Sequence, residues 1–155
     1  MTRVKISKGF TLVEMMVVIA ILGILLAVVI PSFKSILHNQ RVKSASFELF
    51  TSLTLARSEA IKRNTDVTIT PTTTSHWESG WSIAEGSTTL KNQAAISGVA
   101  VSGAPASVTY KRTGRISNTT SPAFQVDVSP ADSAQIRCVK IELSGLPRIS
   151  KGACS

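Results

Sequence analysis

The chain has 155 residues, a formal net charge of +8 and apolar side chains at 43% of its positions. This length leaves room for one domain of ordinary size plus an anchor. Arg3, Lys5 and Lys8 lie among the first nine residues, so the rest of the chain carries only about +5, which excludes a histone-like charge density. A solvated basic surface is the expected origin of such a charge.

The apolar residues concentrate in one segment, Phe10–Ile30, whereas the rest of the chain is rich in Ser, Thr and Gly. As a helix, this segment would rise about 31 Å, enough to cross the hydrocarbon core of a bilayer. Basic residues before it and a polar domain after it predict a cytoplasmic N-terminus and an external C-terminal domain. The run is too long for an ordinary secretory signal and lacks a small-residue cleavage site behind it, but a plain signal anchor fits its length and charge.

One acid, Glu14, lies inside this apolar run. An ionisable side chain within a membrane span is costly unless it is paired, so such a residue is a functional candidate. The alternative is an acid at headgroup level near the end of the span. The apolar residues on both sides of Glu14 argue against that alternative.

Residues 8–14, with the sequence KGFTLVE, resemble the prepilin peptidase recognition motif of type IV pilins and type II secretion pseudopilins. The resemblance implies a leader at residues 1–9, cleavage after Gly9 and an N-methylated Phe10. It also implies that the long helix, predicted to begin at Phe10, bends near Pro31. The new amine of one subunit would pair with the Glu14 carboxylate of a neighbour, because opposite charges attract strongly in a low dielectric. Glu14 is therefore the predicted assembly residue.

Residues 10–30 would form the membrane and assembly half of this helix, and an amphipathic half is predicted to resume over residues 31–64. Apolar side chains there recur at steps of three and four residues and form one stripe. The stripe consists of Val42, Ala45, Leu49, Leu53, Ala56 and Ala60. Glu59 and Arg63 have the spacing of an i,i+4 ion pair, and Asn64 is the predicted end of the helix.

The remaining residues, 65–155, are predicted to form a β-rich domain. Short alternating runs predict strands, and clusters of Gly, Pro, Asn and Ser predict turns between them, one of them at Ser129–Pro130. The predicted strands contain residues 67–69, 81–83, 108–110, 124–126 and 139–143. The fold class is therefore α+β, with one long helix packed on an antiparallel sheet.

Residues 56–64 (ARSEAIKRN), Trp77, Gly80–Trp81 and two late cysteines resemble the GspH/FimT branch of minor pilins and pseudopilins. In that branch a helix is followed by a β-rich domain. Trp77 and Trp81 could suggest a carbohydrate-binding or base-stacking surface. In this context they are predicted to be packing residues.

The two cysteines of the chain are Cys138 and Cys154. Two thiols cannot form a tetrahedral zinc site unaided, and their spacing is not that of a C-x-x-C redox motif. In an oxidising compartment they would close a loop worth about 3 kcal/mol of stability. Two free buried cysteines are the alternative.

No residue set in the sequence predicts an enzyme, a cofactor or a metal site. His38 and His76 lie in different regions, and no acid, histidine and nucleophile can be grouped from the sequence. The chain also lacks a phosphate-binding glycine loop and an acidic metal-binding motif.

Some FimT-type members of the branch bind DNA through a C-terminal Gly-Arg-x-Arg element used in natural transformation. Residues 145–148 read Gly-Leu-Pro-Arg, so only Arg148 matches an arginine of that element, while Lys151 lies nearby. A second basic group consists of Lys111, Arg112 and Arg115. A loop closed by the cysteines would present Arg148 and Lys151 to phosphates and give weak, salt-sensitive binding. Solvated charges or subunit contacts are the alternative.

The resemblance thus implies a minor pilin, a structural subunit of the initiation or tip complex of a type IV pilus. Its implied partners are prepilin peptidase, other minor and major pilins or pseudopilins, and the bacterial inner membrane, with the C-terminal domain in the periplasm. A minor pseudopilin of a type II secretion system and a DNA-binding minor pilin of the FimT type are the alternatives. The late cysteine pair and the basic loop favour the pilus by resemblance.

Overall fold

A computed structural model describes residues 9–128 and 135–155, without the side chains of residues 28–32. Residues 1–8 of the predicted leader and the turn predicted at Ser129–Pro130 lie outside the described residues. The chain divides into two compact units, Met1–Leu37 and His38–Ser155.

One α-helix, α1, spans Leu12–Arg63 without interruption. It begins two residues later than predicted, because Thr11 serves as the N-cap and keeps Phe10 outside the helix. Since the helix is continuous through Pro31, it does not stop and resume there, and the bend near Pro31 stays a prediction. The predicted end at Asn64 is confirmed: Asn64 has φ 54°, a left-handed conformation that asparagine adopts more readily than most residues.

The first unit contains the start of α1. Its large apolar side chains between Phe10 and Leu26 are all exposed, with exposed fractions from 43% to 79%. Over the part of the chain that the structure describes, no helical stretch combines the length and the apolar character needed to span a membrane.

The second unit contains the rest of α1 and two four-stranded antiparallel sheets. The first sheet has the order β3-β2-β1-β5 and the second the order β4-β6-β7-β8. The strands are β1 (Val67–Thr73), β2 (His76–Glu85), β3 (Thr88–Gln93), β4 (Val99–Ser102), β5 (Val108–Tyr110), β6 (Ala123–Val128), β7 (Arg137–Ile141) and β8 (Pro147–Lys151). The α+β class is confirmed, but the prediction of a single sheet is wrong, because strand partners are chosen by contacts between segments far apart in the chain.

Four predicted strands lie within β1, β2, β5 and β6, and the fifth forms β7 only as far as Ile141. The backbone turns at Glu142, where the amide of Gly145 donates to the Glu142 carbonyl. Strands β3, β4 and β8 were not predicted from the sequence. Strand β3, for example, is mostly polar and exposed, so it lacks the alternation that identifies a half-buried strand.

The core lies between the apolar stripe of α1 and the inner side chains of the strands. Every residue of the predicted stripe is at most 2% exposed, which confirms the helix pattern. Trp77 and Trp81 are buried as predicted, and the Trp77 ring meets the Phe124 ring edge-on at 4.8 Å. The Trp77 indole N–H donates to the Pro105 carbonyl at 2.8 Å, so this ring is a satisfied core side chain and not a stacking surface.

Candidate functional site

At the start of α1, Thr11 and Glu14 cap the helix through reciprocal hydrogen bonds. The Thr11 backbone N–H and hydroxyl both donate to Glu14 Oε2, at 3.0 and 3.1 Å. The Glu14 backbone N–H in turn donates to Thr11 Oγ1 at 3.2 Å. This is a capping box, and it places a carboxylate in the first turn, where the helix dipole favours a negative charge.

The capping box leaves one oxygen of Glu14 available. Both donors from Thr11 use Oε2, and among the described residues Oε1 receives no hydrogen bond. Glu14 was a predicted site residue, whereas Thr11 had no predicted role. The signal was present, because Thr at one position and Glu three residues later is the capping-box pattern.

The two residues at the predicted cleavage point, Gly9 and Phe10, precede α1 and are exposed. Phe10 is 79% exposed, and a side-chain carbon added at Gly9 would meet no atom within 4 Å. The peptide bond between them is therefore outside regular structure and accessible within the described part of the chain.

The basic group of Lys111, Arg112 and Arg115 lies on a tight turn at residues 111–115. The Lys111 amide donates to the Arg115 carbonyl at 2.8 Å, and the Gly114 amide donates to the Lys111 carbonyl at 2.7 Å. Gly114 has φ 75°, which favours glycine. Arg57 of α1 donates from Nε to the Gly114 carbonyl at 3.0 Å and so holds the turn against the helix.

A second turn of the same kind, at residues 142–146, packs against the first. Its Glu142 amide donates to the Leu146 carbonyl at 3.0 Å, and Gly145 has φ 84°. A side-chain carbon added at Gly145 would overlap the carbonyl of Gly114. The structure thus brings together two turns that are well separated in the sequence: one carries a basic group, and the other leads into β8, which carries Arg148 and Lys151. Gly145 also has a structural reason to be glycine that is independent of any DNA-binding motif.

Arg148 and Lys151 lie on β8, the outermost strand of the second sheet, and not in the loop predicted from the sequence. Cys138 on β7 and Cys154 beyond β8 form a disulfide with a Cα–Cα distance of 5.0 Å. The expected disulfide is therefore present, but the segment that it encloses is the β7–β8 hairpin. Strand pairing with β7 was missed because β8 is short and mostly exposed.

Two of the predicted phosphate-binding cations are engaged in ion pairs. Lys111 Nζ lies 2.7 Å from Asp66 Oδ2, and Arg148 Nε lies 2.7 Å from Glu142 Oε1. The hydrogen bond from Lys111 lowers the pKa of the Asp66 carboxyl below its ordinary value, against a smaller opposing effect of desolvation. Arg112, Arg115 and Lys151 are exposed and, among the described residues, form no ion pair.

The histidines lie on separate elements, His38 half-buried on α1 and His76 exposed on β2. His76 Nδ1 lies 2.8 Å from Glu78 Oε1. Over residues 9–128 and 135–155, no cluster of three or more His, Cys, Asp and Glu side chains has the arrangement of a metal site.

Two family models match the chain. Type II transport protein GspH matches residues 45–145, and the prokaryotic N-terminal methylation motif matches residues 5–30. Together they cover the candidate assembly site, most of α1 and most of the β-rich unit.

Two relatives, a pilin and a fimbrial protein, match part of the chain. The type IV major alpha-pilin of Moraxella bovis is 34% identical over 53% of this chain and 52% of its own length. A fimbrial protein of Pseudomonas aeruginosa is 40% identical over 37% of this chain and 38% of its own. The chain thus spans about half, or less, of the length of these relatives.

Two solved structures share the fold. The type IV minor pilin FimU of Pseudomonas aeruginosa has a TM-score of 0.63 at 22% identity, over 72% of this chain and 87% of that one. The minor pseudopilin EpsH of the Vibrio cholerae type 2 secretion system has a TM-score of 0.56 at 15% identity, over 71% and 96%. The family match over residues 45–145, together with the methylation motif, shows that the chain belongs to the GspH family of type IV pilin-like minor pilins and pseudopilins.

Proposed function

We propose that this protein is a minor pilin, a structural subunit of the initiation or tip complex of a type IV pilus. The observation that carries the proposal is the position of Glu14, held in the first turn of α1 by Thr11, directly behind the expected cleavage point. The likeness of the chain to FimU, itself a type IV minor pilin, supports a pilus over a secretion pseudopilus.

Prepilin peptidase would cleave after Gly9 and expose the amine of Phe10, which is then N-methylated. The N-terminal helix would hold the subunit in the inner membrane, and the β-rich unit would lie in the periplasm, where an oxidising environment maintains the disulfide. During assembly, the amine of Phe10 on one subunit would pair with Glu14 of another. Since Thr11 uses only Oε2, Oε1 offers a preoriented acceptor for that amine.

The test replaces Glu14 with Ala or Gln in the full chain and measures processing and incorporation separately. We expect the N-terminal mass to show unchanged cleavage after Gly9, while recovery with partner subunits falls at least about tenfold, the loss expected for one charge-assisted bond. Asp66→Asn, which changes an exposed acid between α1 and β1, is the matched control. Unchanged incorporation of both Glu14 variants would reject the assembly role.

A deletion strain separates the pilus from the secretion pseudopilus. Loss of surface pili with normal protein secretion supports the pilus, whereas loss of secreted protein with normal pili supports a minor pseudopilin. The genomic neighbourhood gives an independent indication, because minor pilin genes and secretion genes form different clusters.

DNA binding is a second candidate function, and the contact between Gly114 and Gly145 favours it. This contact places Arg112 and Arg115 on the turn adjoining the hairpin that carries Arg148. Clustered cations on one surface bind phosphates without sequence preference. Leu146 at the first arginine position of the FimT element and the pairing of Arg148 with Glu142 both weaken the candidate site.

Gel-shift titration of the full chain at low and at physiological salt tests this function. We expect retardation at low salt that weakens as salt increases, and that is lost in Arg112→Gln/Arg115→Gln and reduced in Arg148→Ala. Lys91→Gln is the control, because Lys91 is an exposed cation on β3. The DNA-binding function is rejected if the chain does not bind DNA at low salt, or if Arg148→Ala leaves the binding unchanged.

A further inference from the structure

The outer edge of β8 presents backbone hydrogen-bonding groups in a defined order. At the two ends of the β7–β8 ladder, the Glu142 amide donates to the Leu146 carbonyl and the Gly152 amide donates to the Ile136 carbonyl. Bonded and non-bonded pairs alternate along an antiparallel ladder. The even-numbered residues of β8 therefore bond to β7, and the odd-numbered residues direct their backbone groups away from it.

Ile149 and Lys151 are the residues of β8 whose N–H and C=O groups point outward in this register. Pro147 occupies the remaining outward position, where its missing N–H costs no bond to β7. Since β8 is the outermost strand of its sheet, these groups form an open edge within the described part of the domain.

The side chains along this edge combine cations with exposed apolar groups. Lys140 on β7 and Arg148 on β8 are directly opposite each other on the solvent-exposed face of the hairpin, and both are exposed. Ile149, 36% exposed, lies on the other face beside the edge, and Leu146 before β8 is 42% exposed. A groove of about 400 Å³ follows β8 and is lined by Lys140, Glu142, Arg148, Ile149 and Ser150.

The other sheet edges are poorer templates for strand addition. Strand β5 has only three residues, and β3 has an irregular register, with a shift between Ile83 and Ala84 on its partner strand. Strand β4 has four residues and lies close to β2 of the other sheet. Strand β8 is regular over all five of its residues.

We propose that the edge of β8 binds an extended, carboxylate-bearing segment of a partner protein, which adds to the second sheet as a further strand. Its backbone would bond to Ile149 and Lys151, its acidic side chains would face Arg148 on the edge strand, and alternate apolar side chains would cover Ile149. The existing pair of Arg148 with Glu142 is no obstacle, because both side chains are exposed and such pairs exchange at little cost. The surface is separate from the N-terminal assembly site and does not depend on the filament role.

Charged residues on an open strand can instead serve to prevent pairing, so the experiment must separate charge from strand addition. The probe is a fluorescent peptide of about six residues, the length of an average strand, that alternates valine and glutamate. It is titrated against the full chain in detergent with the disulfide intact, and binding is measured by fluorescence anisotropy. A peptide that alternates valine and lysine is expected not to bind, whereas equal binding of both peptides would overturn the charge complementarity.

The decisive variant is Ile149→Pro, which removes an outward N–H but no bond to β7. We expect it to bind the acidic peptide at least about tenfold more weakly, the effect of one or two lost hydrogen bonds, while Ile149→Val binds as the parent does. An acidic peptide with methylated backbone nitrogens tests the same point without any change in the protein, and it is expected not to bind. If Ile149→Pro and the methylated peptide both bind like their parents, the surface recognises charge alone, as a nucleic-acid surface would, and the proposal is wrong. Failure of the unmodified acidic peptide to bind also overturns it.

Discussion

Gly145 packs against the carbonyl of Gly114, and this contact joins the turn at residues 111–115 to the β7–β8 hairpin. Both glycines have a positive φ and both close tight turns through an amide hydrogen bond of 2.7 Å. Arg57 also bonds to the Gly114 carbonyl, so one oxygen connects α1 and both turns. The two turns can approach this closely only because Gly145 has no side chain, so the relative positions of the basic groups next to them depend on that glycine.

Gly145→Ala is expected to lower the free energy of unfolding by more than about 2 kcal/mol, because a positive φ is strained for alanine and the new carbon overlaps a backbone atom. Urea unfolding followed by tryptophan fluorescence measures it, since Trp77 and Trp81 are buried. Gly86→Ala is the matched control: its φ is 56° but no atom lies near the new carbon, so about 1 kcal/mol is expected. If Gly145→Ala and Gly86→Ala lowered the free energy of unfolding equally, the overlap with Gly114 would contribute nothing.

Thr11→Val removes the hydroxyl of the capping box at nearly constant volume. We expect the first turn of α1 to be destabilised by about 1 kcal/mol, the usual value of an N-cap side chain. Amide hydrogen exchange of Glu14 and Met15, whose N–H groups donate to Thr11, should accelerate about fivefold in the full chain in detergent. Thr11→Ser keeps the hydroxyl and should exchange at the parent rate, and a parent-like rate in Thr11→Val would contradict the role of the cap.

The disulfide closes the β7–β8 hairpin between residues that are 16 positions apart. Replacing Cys138 and Cys154 with serine is expected to lower the free energy of unfolding by about 3 kcal/mol, the chain-entropy value for a loop of this length. The measurement is again urea unfolding monitored by Trp77 and Trp81, and the parent protein with its disulfide reduced should show a similar loss. A loss below about 1 kcal/mol would mean that strand pairing alone orders the hairpin.

The ion pair between Asp66 and Lys111 is expected to make the stability of the folded protein depend on pH. Because the pKa of Asp66 is lowered in the folded protein, its stabilising effect is complete at neutral pH and is lost as the pH falls below about 4 and passes through the lowered value. Lys111→Met should return the pKa of Asp66 towards its ordinary value in a carbon-detected NMR titration. The pKa of Glu59, lowered chiefly by its hydrogen bond from Arg63, should not move. A change at both acids would indicate a general loss of structure.

The sequence alone was sufficient to predict α1, its buried stripe, its end at Asn64 and the α+β class. These features depend on periodicity and end signals within one segment, and they are local in the chain. The capping box was equally local, and Thr11 was missed only because its spacing to Glu14 was not interpreted.

Only the tertiary structure determined how the strands divide into two sheets and where the basic residues lie. Strand partners and register result from contacts between distant segments, so β8 could not be distinguished from a loop by its own exposed sequence. The same applies to Gly114 and Gly145, whose backbones meet although two strands of the second sheet, β6 and β7, lie between them in the chain. Local periodicity and capping residues therefore determined the helix and its ends, whereas long-range packing determined the surface that this domain presents.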